Sequence, residues 1–230
     1  MDCCRPQKEM ERKVTKASPL ALGEAEPLSS KTKKRVMKEW KNVMAHDPLL
    51  FQKAWVGSAN RSMSIKQIFG IPLDEDAGEN VSFSNLYTLI EDFFTKVIVT
   101  QNLDDDLTVD CAQALGARHI DFVGQGFNSA FWDIFMACLR DAFQESMATF
   151  GTERDEELEI SFEKTFAWVL YNMRLGFHDR KKKESELRIK PVIEELKELK
   201  MQDIKLPQKK SIESCKEESS EEVPTRCRCS

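Results

Sequence analysis

Between Val36 and Met173, apolar side chains recur every three or four residues in one segment after another. That spacing follows the period of about 3.6 residues of an α-helical turn and restricts the chain to a set of amphipathic helices. From Ser29 onward, Val36, Trp40, Val43 and Met44 share one face. Asp47-Pro48 predicts a fresh helix start, a capping side chain followed by proline at the first helical position. Leu50, Phe51, Ala54 and Trp55 follow it. A short helical segment, Ile65 to Phe69, ends at Gly70-Ile71-Pro72, and residues 72–82 read as a loop. Leu86, Leu89, Ile90, Phe93, Phe94, Val97 and Ile98 then predict one long helix. Asp104-Asp105-Asp106 caps another, in which Leu107, Cys111, Leu115 and His119 lie four apart on one face. Gly124-Gln125-Gly126 interrupts the pattern. Phe127, Phe131, Ile134, Phe135, Cys138 and Leu139 stripe the next helix, and Phe162, Phe166, Val169, Leu170 and Met173 the last core helix. No segment reads as a strand. The fold class is therefore all-α.

The pattern divides the chain into three parts. Residues 1–28 are polar, with Pro6, Pro19, Gly23 and Pro27, and read as a disordered arm. Residues 29–178 form the helical domain, of ordinary size. Residues 179–230 are a charged tail, partly helical around Leu187, Ile193, Leu196 and Leu199 and then disordered beyond 204. A net charge of −5 offers no basic stripe, so nucleic acid is not an expected partner. No apolar run is long enough to span a bilayer, and the first 16 residues lack a hydrophobic stretch, so a cytoplasmic location is expected. The 7 cysteines show no zinc-type spacing and read as free thiols. Five lie near the ends. Cys3 and Cys4 leave membrane attachment by acylation open beside the plainer reading of unmodified flexible ends.

Only three histidines are available to bind a metal. His46 sits at a helix junction, and His178 lies beside Asp179 and Arg180 at the end of the last core helix. His119 differs. It continues an apolar face and is followed by Ile120, Phe122 and Val123. A neutral imidazole there suits a metal in an apolar pocket, whereas a lone histidine elsewhere is more often a packing residue bonded to a backbone carbonyl.

Leu115-Gly116-Ala117-Arg118-His119, after the acidic corner at Asp104–Asp106, resembles the LGxxH segment that carries the proximal histidine in many globins. Phe69, at the end of the short helix, resembles the globin phenylalanine that wedges against haem. Trp40 resembles the tryptophan of the first globin helix, and its spacing to Phe69 is similar to that of neuroglobin-like members. Phe162, Phe166, Val169 and Met173 resemble the inward face of the last globin helix. Residues 30–177 thus resemble an invertebrate, nematode-type globin.

The resemblance implies a globin-like fold and haem b (iron protoporphyrin IX), with His119 as the iron ligand and Phe122 and Val123 along the proximal edge. On the distal side, where globins often place His or Gln, it puts Leu86 with Ile90 one turn later. Asn85, Tyr87 and Leu89 stay open as alternatives. Trp55 falls where globins place a bulky residue over the iron, either donating its indole N–H to a ligand or simply filling the pocket. Such a protein would bind oxygen or another diatomic gas. A distal side this poor in donors favours oxygen sensing or redox signalling over oxygen transport. A haem redox enzyme, such as a nitric-oxide dioxygenase or peroxidase, lacks a visible distal acid or base here, so no catalytic residue is assigned. A haem-free signalling module of the same fold remains the other alternative, and a homodimer stays open.

Overall fold

The computed structural model describes residues 26–151 and 155–203, with side chains as far as Glu198. The terminal cysteines, most of the predicted arm and the tail beyond 203 lie outside the described residues.

Helix α1 (Ser30–His46) starts where Ser29 Oγ accepts the Thr32 N–H at 3.1 Å, and it buries Val36, Trp40 and Val43. Leu28, assigned from the sequence to the arm, is also buried. Helix α2 (Leu50–Asn60) begins two residues after Pro48. Asp47 still braces this start. Its carboxylate accepts the Leu49 N–H at 3.3 Å and binds Lys53 Nζ at 2.8 Å. Helix α3 (Met63–Ile68), capped by Ser62, ends at Gly70, whose φ of +65° is the left-handed conformation that glycine adopts without strain. The following loop is anchored by Lys66. Its side chain is buried, and its ammonium donates to the carbonyls of Leu73 (3.1 Å) and Glu75 (2.5 Å).

The long helix expected from Leu86 is divided. A single turn, α4 (Val81–Ser84), precedes α5 (Tyr87–Thr95), which runs into a π-helical turn over Lys96–Thr100. Leu89, placed on the apolar stripe by its spacing, is 66% exposed. Helix α6 (Asp105–Arg118) is capped as expected, with the Asp104 carboxylate accepting the Leu107 N–H at 3.0 Å. Its buried face is not the expected one. Leu107 is exposed, and Thr108, Ala112 and Gly116 turn inward instead. A 3-10 segment, His119–Gln125, continues α6 and ends at Gly126.

Helix α7 (Phe131–Met147) begins four residues later than the first phenylalanine of its stripe and packs extensively on α2. Helix α8 (Glu156–Asp203) begins in the last core helix and runs on into the segment that the sequence reads as a partly helical, charged tail. The chain divides into two units, 1–184 and 185–230. Within the second, Leu187, Ile189, Val192, Ile193 and Leu196 are exposed.

The core of the first unit is aromatic. Phe166 on α8 meets Phe51 of α2, Phe94 of α5 and Phe143 of α7 with ring centroids 5.2–6.2 Å apart. Phe162, one turn earlier, stacks on Trp40 of α1 at 6.1 Å. A smaller cluster of Ala59, Ile65, Ile71, Ala77 and Phe83 closes the end of the bundle near α3 and α4. Among the described residues there is no strand, and no helix is long and apolar enough to cross a membrane.

Candidate functional site

His119 stands at the junction of α6 and the 3-10 segment, where the helical hydrogen-bond ladder changes pitch. Its Nδ1 lies 2.8 Å from the Leu115 carbonyl oxygen, one turn back. A carbonyl only accepts, so the proton sits on Nδ1 and the Nε2 lone pair is left available. Nε2 has no hydrogen-bond partner among the described residues. Burial holds the imidazole below its ordinary pKa, opposed by the Leu115 bond and assisted by the charge of Arg118, so the ring is neutral at neutral pH.

Three aromatic rings surround this imidazole. Phe127 lies 5.1 Å away, Trp132 5.2 Å and Phe122 6.0 Å. Trp132 is buried on the first turn of α7, and Phe177 of α8 touches both Trp132 (5.5 Å) and Phe127 (5.8 Å). The placement of His119 depends on how closely α6 approaches α8. A β-carbon on Gly116 would stand 1.8 Å from the Met173 carbonyl oxygen, and one on Gly176 would stand 2.0 Å from that of Gln113. The two helices therefore cross backbone to backbone, and glycine is required at both positions.

Trp55, Phe69 and Phe83 form a second aromatic group. Trp55 stacks on Phe83 at 4.8 Å and meets Phe69 edge-on at 5.7 Å. Its Nε1 donates to the Phe83 carbonyl at 2.9 Å. Of the two roles open to Trp55 from the sequence, donor to a ligand or pocket filler, the first would need this bond to break. Leu86 packs at half burial against the small cluster, and Ile90 at half burial against the main core. Gly126, with φ +105°, would bring a β-carbon within 3.1 Å of Ile68 Cγ1, so the 3-10 segment ends against α3, one residue from Phe69.

Phe69, Phe122 and Val123 are 42, 47 and 40% exposed. Phe122, 6.0 Å from the imidazole, and its neighbour Val123 leave large apolar side chains open near a neutral ring whose Nε2 is unbonded, a donor and a surface of the chemistry that suits a flat, apolar, metal-centred group. The residues present fit haem, with His119 Nε2 as the ligating atom and its Nδ1–Leu115 bond as the contact that orients the ring.

The chain aligns along its fold with the crystal structure, at pH 4, of a hexacoordinated heme protein from an anhydrobiotic tardigrade. The TM-score is 0.54 at 19% identity, over 66% of this chain and 96% of the other. This is an all-α, globin-like fold. No family model and no curated protein sequence matches the chain.

The sequence singled out His119 as a candidate but not Trp132, which carries no motif although its ring stands 5.2 Å from the imidazole. Phe127 was assigned to core packing, yet it also lines the histidine. Gly176 was overlooked, although a glycine inside a helical pattern is itself a sign of close packing.

Proposed function

We propose that this protein binds haem through His119 and reversibly binds a diatomic gas, in oxygen sensing or redox signalling rather than transport. One observation carries the reading. A neutral histidine, held through Nδ1 by a backbone carbonyl, presents Nε2 within an aromatic cage in a globin-like fold. The haem is of the b type in this reading, because the sequence holds no CxxCH motif for covalent attachment. Haem iron would supply the gas-binding site.

The chain's own residues then set how that site behaves. The Trp55 N–H is committed to Phe83, and Leu86 and Ile90 have no polar atoms, so a bound gas gains little hydrogen bonding. The tardigrade protein is described as hexacoordinated, but the histidines here do not suggest an internal sixth ligand. His46 lies 3.0 Å from Thr149 Oγ1 and packs on Phe150, while His178 packs on Phe177. In this reading His119 is the histidine that would hold the haem, and neither His46 nor His178 is assigned to it.

The test is the visible spectrum of the purified protein and of His119→Ala, ferric and dithionite-reduced, with and without carbon monoxide. A Soret band that moves with carbon monoxide, and is lost or altered in the variant, is expected. No Soret band even after haemin addition would overturn the reading and leave a helical interaction module.

A further inference from the structure

We propose that the stretch of α8 from Arg188 to Leu196 is a self-association surface, along which two copies of this chain pair antiparallel through Ile189, Val192, Ile193 and Leu196. The proposal goes beyond the haem reading and does not depend on it.

These four residues follow one another at intervals of three, one and three positions, which places them on one side of the helix. They are 54, 52, 45 and 54% exposed. A continuous aliphatic strip is costly to leave in water. Its spacing is that of a two-stranded seam, with Ile189 and Leu196 at position a of a heptad and Val192 at position d. Leu187 falls at position f and Pro191 at position c, both on the opposite side, so neither enters the seam.

The flanking charges select the occupant. From Glu186 to Glu198 the helix carries four acidic and three basic residues. A helix that lies on an anionic membrane has a polar face rich in Lys and Arg, and this face is mixed. It suits a second mixed face instead. Arg188 and Glu195 both occupy position g, on the same edge of the strip. They stand about 10 Å apart along the helix axis, too far to pair within one chain. Neither has an ion-pair partner among the described residues.

An edge that carries one charge of each sign is self-complementary under a two-fold axis. When two copies run antiparallel, position g faces position g. Arg188 then meets Glu195 of the partner copy, and Glu195 meets the partner's Arg188. Val192 lies against the partner's Leu196, and Ile193 meets its own counterpart beside the axis. Parallel copies would place Arg188 opposite Ile193 and lose both of these ion pairs.

Sedimentation equilibrium of the full chain tests the pairing. The apparent mass is expected to rise from one chain toward two as the concentration goes from about 10 µM to about 1 mM. The double variant Ile193→Glu with Leu196→Glu is expected to stay at the mass of one chain. Arg188→Glu and Glu195→Arg each turn both cross-copy pairs into like charges, and each is expected to weaken the dimer about tenfold. An equal mixture of these two single variants is expected to recover the wild-type affinity, because positions 188 and 195 again carry opposite signs in both pairs of the mixed dimer. The charge variants leave the apolar strip intact, so they report on the pairing even if the doubly substituted helix frays. The mass of one chain at every concentration overturns the proposal. So does a dimer that survives the double variant, or a mixture that fails to recover. None of these readouts involves haem, so each outcome leaves the reading of His119 to its own spectroscopic test.

Discussion

Gly116 on α6 lies directly against the backbone of Met173 on α8, with room for a hydrogen atom and nothing larger. The obstructing atom is a carbonyl oxygen of a helix and cannot rotate away as a side chain would. Gly116→Ala is therefore expected to destabilise the protein by about 3 kcal/mol or more, at the upper end of overpacking costs. Urea unfolding measures this. Because the crossing also positions His119, the variant is expected to lose haem faster than wild type at equal denaturant. Wild-type stability with an unchanged rate of haem loss would refute the close crossing.

Trp55→Phe removes the donor to the Phe83 carbonyl while keeping an aromatic ring. That carbonyl also accepts the Leu86 N–H, so the loss is expected to cost only about 1 kcal/mol of stability. Gas dissociation rates are the sharper readout. With the indole N–H already committed, the oxygen dissociation rate should change by less than about threefold. An acceleration near tenfold, corresponding to about 1.4 kcal/mol, would show that the N–H turns to the bound gas.

Phe166→Ala is expected to cost about 3–5 kcal/mol, the range for deleting a fully buried phenylalanine. The ring touches α2, α5 and α7 at once, so the surrounding helices have little freedom to close the cavity. Denaturant unfolding tests this. A loss below about 1.5 kcal/mol would mean that the core repacks.

Asp155 combines two roles at the start of α8. Its carboxylate accepts the Leu158 N–H at 2.9 Å and pairs with Arg35 on α1. The Arg35 hydrogen bond holds its pKa below the ordinary carboxylate value. A carboxylate with a depressed native pKa stabilises the fold above its unfolded pKa, and that contribution disappears as the pH falls through the native value. Asp155→Asn keeps the cap and removes the titration. It is expected to lower stability near neutral pH by no more than about 1 kcal/mol, as for an exposed pair. It is also expected to flatten the loss of stability below about pH 4. An acid unfolding curve that superimposes on wild type would contradict this.

The helical architecture was largely legible because the apolar period is strong and several caps are explicit. Asp104 caps as its sequence context predicts, and α1 starts at Ser30, where the period begins. The errors on α5 and α6 have one physical origin, which is that periodicity assigns the largest apolar residues to the interior. On α6 this rule selects Leu107, which is 52% exposed. The true inner face is Thr108, Ala112 and Gly116, because a backbone crossing demands small side chains. The same reading merged α4, α5 and the π-helical turn into one helix, since Leu86 to Ile98 continues the period through the breaks. At the candidate site, His119 was legible from its local segment. Trp132 was not, because it reaches the histidine from a different helix, and no spacing within one segment encodes that meeting.

The anchoring of the 72–77 loop by Lys66 also has a consequence for how the protein responds to its surroundings. A loop whose carbonyls converge on a positive charge is elsewhere often held by a dissolved ion, which ties its order to ion concentration and chelators. Here the charge is part of the polymer, carried on a side chain from α3, the helix that leads into Phe69. Its local concentration is fixed by a covalent tether and no chelator can remove it. This border of the candidate site is expected to keep its shape across changes in ionic composition, independently of whatever happens at His119.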